Sequence, residues 1–377
     1  MKKFIALLLS CVMLVGILAA CGGSKQPSGS SSQPDTPPAG GYTQTYEWNV
    51  ASTFGGNSMR NMDLVLNTIE ERSNGRMKFN RYWSNALVSI AEVPDALKDG
   101  IADMAVIATV NYPSILTYNA EMVGMPFVGF ESAYQVVACW DAMREAFPDE
   151  LQGEWDKIGA IPYMTWTTPG YHILTVNEGD EIRTPADLAG HKLMAGKTQF
   201  LKLINANGGA GLQVAPTAYY ENLEKAVADG VVQSVGTVRT FGALELIKSA
   251  TLFTDEEVPS TGAYFDMFYF AISKKSWDKL DPEMQQIFED VHKELDADNT
   301  ECQRSLDDSA NAYTDDAKFN GIKLSKEEIQ VWADAMVPFN LEEIENMKSN
   351  YKKDKAGELY EWMLNWIKEN PASNFGK

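Results

Sequence analysis

The stretch from Ile182 to Phe200, IRTPADLAGHKLMAGKTQF, constrains the fold more than any other part of this sequence. Thr184 is a good N-cap and Pro185 suits the first helical position. Asp187 stands in the first turn, where the positive end of the helix dipole favours a carboxylate, and Gly190 ends the short helix. His191 to Ala195 reads as a strand, and Gly196 opens the next helix. A strand end, a loop and a helix start therefore meet between Met194 and Phe200, and in open α/β sheets such points are where ligands bind.

The same alternation runs through the chain. Tyr46 to Ala51 reads as a strand, Ser58 to Glu71 as a helix with Met62, Val65, Leu66 and Ile69 on one face, and Met77 to Tyr82 as a strand. Ala91 to Lys98 is a helix stopped at Asp99-Gly100, and Ile101 to Ala108 is an almost continuous apolar strand, as expected where both faces are covered. Further helices are expected over Ser132 to Phe147 and Tyr219 to Gly230, with strands over Ile158 to Trp166, Tyr171 to Val176, Val231 to Val238 and Tyr264 to Ser273. A long helix is expected from about Pro282 to Phe319, and Ser325 with Glu328 forms a capping box at the start of a helical tail. Helices alternating with strands mean βαβ units and a mainly parallel sheet, so the class is α/β. A weak internal echo, Ala96 to Met104 against Ala226 to Ser234, suggests two domains of like architecture, with Asn111-Tyr112 and Ser234–Gly236 facing one another across a cleft. Crossovers near Pro169 and Pro259 divide the chain into residues 45–168 with 260–377, and residues 169–259.

The N-terminus places this chain outside the cytoplasm. Lys2 and Lys3 precede the apolar run FIALLLSCVMLVGILAA, so residues 1–20 read as a signal peptide. Leu18-Ala19-Ala20-Cys21 matches a lipobox, implying cleavage before Cys21 and lipidation of its thiol on the outer face of the cell membrane. An uncleaved anchor is the alternative, disfavoured by the short apolar core. Residues 21–44, rich in Gly, Ser and Pro, form a flexible tether. Cys139 and Cys302 remain, either paired in the oxidising exterior or buried as free thiols. A formal net charge of -20, from 52 Asp+Glu against 32 Lys+Arg, argues against nucleic-acid partners.

The run I-x-T-P-x-D-L-x-G-x-K from Ile182 to Lys192, followed by an apolar residue, resembles the central signature of the DctP-type solute-binding subunits of tripartite ATP-independent periplasmic (TRAP) transporters. Asp103-Met104 with its Tyr112-Pro113 loop, Met125-Pro126-Phe127 and Trp277-x-x-Leu280-x-Pro282 extend the likeness over roughly Tyr46 to Lys348. The resemblance implies a two-domain, type II periplasmic-binding-protein-like fold with an interdomain cleft, hinge strands and a long C-terminal helix. It implies an extracytoplasmic lipoprotein that captures a small organic solute, acts as a monomer and delivers the solute to TRAP membrane subunits. In that family an arginine clamping the ligand carboxylate follows the signature; here that residue is Met194. Lys197 or Arg239 would have to replace it, or the ligand would be neutral, aromatic or cationic.

The residues themselves offer little chemistry of an enzyme. Ala195-Gly196-Lys197-Thr198 echoes a phosphate-binding loop but lacks the earlier glycine at the required spacing. No nucleophile elbow, metal-ligand histidine pair or cysteine–histidine motif is present, so neither catalysis, nor a cofactor, nor a metal is expected. Aromatic residues gather at the strand ends instead: Tyr112, Trp166, Tyr171, Phe200, Tyr219 and Phe241. With His172 as a hydrogen-bond donor or a core histidine, and Ser234 across the cleft, the candidate site is Tyr112, Trp166, Tyr171, His172, Met194, Lys197, Phe200, Ser234 and Arg239. The rival readings are the ligand-capturing subunit of another transporter or sensor, and a surface enzyme.

Overall fold

The computed structural model describes residues 41–55, 59–297 and 300–375. The expected signal peptide, the Cys21 lipidation site and nearly all of the tether lie outside the described residues.

The strands are Tyr46–Ala51 (β1), Met77–Tyr82 (β2), Met104–Ala108 (β3), Ala160–Thr167 (β4), His172–Thr175 (β5), Lys192–Ala195 (β6), Ala210–Leu212 (β7), Gly230–Gln233 (β8), Ser249–Leu252 (β9), Met267–Ser273 (β10) and Asn320–Lys323 (β11). They form two sheets, a five-stranded one ordered β2-β1-β3-β10-β4 and a six-stranded one ordered β11-β9-β5-β8-β6-β7. Pairings of β1 with β2 and β3, and of β6 with β7 and β8, are parallel, as the βαβ pattern requires. The antiparallel exceptions are β10 in the first sheet and β5 in the second, the two strands entered directly from the other sheet. Each sheet with its helices is a lobe. All five residues of β3 are buried, so its apolar run reflects cover on both faces.

In the second sheet, strand alternation sorts neighbours onto opposite faces. Ile173, Leu193 and Val232 pack with Phe200, Tyr264 and Trp332 on one side. Leu174, Met194 and Val231 pack with Tyr219, Val235 and Val238 on the other. The short helix of the signature is a 3-10 turn, Pro185–Leu188, closed by the Thr184/Asp187 capping box, and Gly190 ends it at φ +83.

Two segments cross between the lobes side by side. One is Thr168–Tyr171, from β4 to β5; the other descends from β9 to β10 through residues 253–266. They are laced together by hydrogen bonds from Gly170 N–H to Ser260 O (3.0 Å), Tyr171 N–H to Tyr264 O (3.0 Å), Ala263 N–H to Tyr171 O (2.9 Å) and Thr168 N–H to Asp266 O (3.0 Å). The helix Lys326–Tyr351 is a third tie. Ser325 and Glu328 cap it reciprocally; Trp332 and Met336 sit in the core of the second lobe, Ile344 and Met347 in that of the first.

Three local expectations differ from the structure. The strand expected over Val231 to Val238 ends at Gln233, because the Ser234 hydroxyl accepts the Thr237 N–H and caps a helix, Val235–Thr240. The helix expected over Tyr219 to Gly230 is only Tyr219–Glu224. The helix expected from Pro282 to Phe319 is two helices, Pro282–Ala297 and Thr300–Asn311, followed by a π-turn at Ala312–Asp316. The chain then re-enters the second sheet as β11, parallel to β9, within the 260–377 stretch expected to belong wholly to the first domain.

Candidate ligand-binding cleft

Between the sheets lies a cleft with a cavity volume of about 80 Å³. One wall comes from the first lobe. Trp166 and Phe268 are cross-strand neighbours on β4 and β10, and their rings stack with centroids 5.6 Å apart at 25°. Phe54, in the loop after β1, leans on Phe268 at 5.5 Å, and Met59 and Val106 complete the wall. The second lobe contributes Ser234, Gly236, Thr237, Thr240 and Phe241, all on or flanking the Val235–Thr240 helix. Thr168 and Pro169 of the first crossover also line the space. Phe54 meets Phe241 at 6.5 Å, so aromatic rings of opposite lobes touch.

The helix Thr300–Asn311 adds Arg304, Ser305 and Asp308. It lies close against the second lobe: the Gly236 N–H donates to Ser309 Oγ at 3.3 Å, and a Cβ on Gly236 would come within 3.0 Å of the Ser309 Cα. The Arg304 guanidinium pairs with both Glu301 and Asp308. Burial pushes the Glu301 carboxyl above its ordinary range, against the opposing pull of Arg304.

Beneath the cleft, against the crossovers, is a buried polar cluster. Asp266 Oδ2 accepts from the Tyr171 hydroxyl at 2.7 Å. Burial raises the Asp266 carboxyl, and Lys197 and Tyr171 oppose that shift. Lys197, 2% exposed, donates to Ala120 O at 2.6 Å and lies 3.6 Å from Glu121, so a side chain of the second lobe reaches into the first. Gln199 Nε2 donates to the same glutamate at 3.3 Å. The Tyr171 and Tyr264 hydroxyls are held well above their ordinary pKa by burial and by the nearby Asp266.

The expected site residues divide between these places. Trp166 and Ser234 stand in the cleft wall. Tyr171 and Lys197 belong to the cluster below it, while Tyr112 is buried in the first lobe with its hydroxyl donating to Ile90 O at 2.5 Å. His172 is a buried strand histidine whose Nδ1 accepts the Phe253 N–H at 3.1 Å; burial pushes its pKa down to about 3. Phe200 packs among Phe127, Tyr264 and Trp332. Met194 is fully buried in the apolar face with Tyr219 and Val231, off the cleft lining. Arg239 points to Asp316 (3.0 Å) and Asp308 O (2.9 Å). Phe54, Phe268, Thr237, Thr240 and Arg304 line the cleft without having stood out in the sequence. Phe268 carried a signal, lying in a strand rich in aromatics. Cys139 and Cys302 are both free and buried. Among the described residues no group of His, Cys, Asp and Glu could hold a metal ion, and no helix is long and apolar enough to cross a membrane.

Residues 57–346 match the family described as DctP, bacterial extracellular solute-binding protein, family 7. The chain belongs to this DctP family. Its members are extracytoplasmic receptors for solutes. A solute-binding protein of Albidiferax ferrireducens is 23% identical over 303 residues, covering 78% of this chain and 85% of its own. Among solved structures, a marine metagenome TRAP solute-binding protein in complex with 3-hydroxybenzoate has a TM-score of 0.72 at 18% identity, covering 87% of this DctP-family chain and 99% of its own. One from Rhodoferax ferrireducens with copurified benzoate gives 0.70 at 19%, covering 86% and 98%. One from Sulfitobacter with bound β-D-galacturonate gives 0.68 at 18%, covering 85% and 100%. The two-sheet, two-lobe α/β architecture of the DctP-family chain is thus that of the TRAP solute-binding proteins.

Proposed function

We propose that the chain captures a small organic solute with a flat apolar portion in the cleft between its sheets and delivers it to the membrane subunits of a TRAP transporter. The observation that carries this is the stacked Trp166–Phe268 pair facing the hydroxyls of Ser234, Thr237 and Thr240 across the cleft. Stacked rings supply an apolar platform, and the hydroxyls of the opposite lobe fix orientation by hydrogen bonds. A solute touching both walls favours the closed over the open arrangement, and that population shift is what a membrane partner can read. The present volume holds a few waters and falls well below the roughly 300–1,000 Å³ of a small-molecule pocket, so solute entry requires the lobes to part. That relatives hold benzoate and 3-hydroxybenzoate supports a ring-bearing solute. We place the protein on the outer face of the cell membrane, anchored through Cys21, and acting as a monomer.

Isothermal titration with the solute that co-purifies tests the cleft. Trp166→Ala is expected to weaken binding about 30-fold, equivalent to the roughly 2 kcal/mol of a central aromatic contact. Unchanged affinity would remove the cleft from the account.

A further inference from the structure

We infer that the solute carries a positively charged nitrogen, an ammonium or amidinium group, and that Asp266 holds it; this rests on the cleft reading above and names the charge of what enters. Asp266 immediately precedes β10, and strand alternation puts its side chain on the side of Phe268, which lines the cleft. Its N–H donates to Thr168 Oγ1 at 3.1 Å and its carbonyl accepts the Thr168 N–H at 3.0 Å; Thr168 is itself a lining residue. The carboxylate thus lies in the buried cluster beneath the cleft, next to Thr168 of its lining. It is 7% exposed, and while Oδ2 accepts from Tyr171, Oδ1 has no hydrogen-bond partner. A buried acceptor left so is costly, and a charged N–H from a bound solute is the group that satisfies it best.

The surrounding charges point the same way. Lys197 and Glu121 are the charged groups within electrostatic reach of Asp266. Lys197 already donates to Ala120 O and pairs with Glu121. His172 accepts a backbone N–H and stays neutral. One basic group, Lys197, therefore faces two carboxylates, Glu121 and Asp266. An incoming carboxylate would add a further buried negative charge to this set, whereas a cation balances it. The rings of Tyr171 and Tyr264, with centroids 4.5 Å apart, together with Tyr219 present electron-rich groups around the same carboxylate.

Benzylamine, benzyl alcohol and benzoate share a ring and differ in charge, so titrating all three into solute-free protein separates the two claims. Benzylamine is expected to bind at least about 10-fold more tightly than benzoate, and Asp266→Asn to weaken benzylamine about 10- to 100-fold and benzyl alcohol by a clearly smaller factor. The asparagine keeps an acceptor for Tyr171, so a merely structural role would not move the charge preference. Benzoate binding as tightly as benzylamine overturns the inference, as does benzylamine binding that ignores Asp266→Asn. Benzoate that is lost in Trp166→Ala but indifferent to Asp266→Asn would uphold the cleft and sink the charge assignment. The preference of the unaltered protein needs no variant and decides the matter even if Asp266→Asn fails to fold. A wider set of alkyl- and arylammonium ions in which none binds also overturns it.

Discussion

Gly170→Ala tests the mechanical heart of the two-lobe arrangement. A Cβ at this position would lie 2.1 Å from the Thr261 carbonyl carbon, 2.2 Å from the Gly262 nitrogen and 2.3 Å from the Thr261 oxygen. All three are backbone atoms of the opposite crossover, so no rotamer change relieves the overlap. Restoring contact distance would push the two crossovers apart by more than about 1 Å and break hydrogen bonds such as Gly170 N–H to Ser260 O (3.0 Å) and Ala263 N–H to Tyr171 O (2.9 Å). Two lost bonds at about 1 kcal/mol each, with about 1–3 kcal/mol for overpacking, give about 3–5 kcal/mol. In a protein of this size that lowers Tm by about 4–7 °C. The control is Gly153→Ala, in the helix Pro148–Lys157, where a Cβ meets nothing within 4 Å; it should be neutral or gain up to about 1 kcal/mol. Differential scanning calorimetry of both variants is the assay. A Gly170→Ala protein melting within about 2 °C of the parent would refute the close crossing.

Other perturbations probe the interior. His172 has a folded-state pKa of about 3 against 6.5 unfolded, so its neutral form stabilises the fold above pH 6.5. That contribution drains away as pH falls from 6.5 toward 3, by up to about 1.4 kcal/mol per pH unit. Denaturant titrations should therefore show His172→Asn less acid-sensitive than the parent over that window; parallel curves would contradict the assignment. Lys197→Met leaves Glu121 and Asp266 without their cation and should cost about 3–5 kcal/mol, most of it recovered in Lys197→Met/Glu121→Gln. A single variant as stable as the parent would argue that Lys197 does not hold the lobes together. Burial raises the Cys302 thiol to about 12 and the Cys139 thiol further still, so peptide mapping should find both unmodified by a thiol reagent until the protein is unfolded. Rapid labelling of the native protein at either position would count against their burial.

The framework was legible because local signals carry it. The expected inner face of the first helix, Met62, Val65, Leu66 and Ile69, is buried, and the Thr184/Asp187 and Ser325/Glu328 caps form. The crossovers declared themselves through Thr168-Pro169-Gly170 and the run near Pro259. The cleft was only partly legible because its walls come from segments far apart in the chain. Arg304 reaches it on a helix that the apolar pattern merged with its predecessor, and Thr237 and Thr240 reach it on a helix that four apolar residues in Val231–Val238 disguised as strand. Tyr112 and Phe200 sit beside loops, yet their surroundings are set by Ile90 and by Trp332, partners that no local pattern indicates.

A crystal structure of the protein carrying its co-purified solute would show where the solute sits. Solute density is expected between Trp166 and Phe268 on one side and Ser234, Thr237 and Phe241 on the other. The contrary result is density in the larger cavity of about 650 Å³ on the crossover segment, among Phe127, Phe253, Phe265 and Ile329, with the inter-sheet cleft unoccupied.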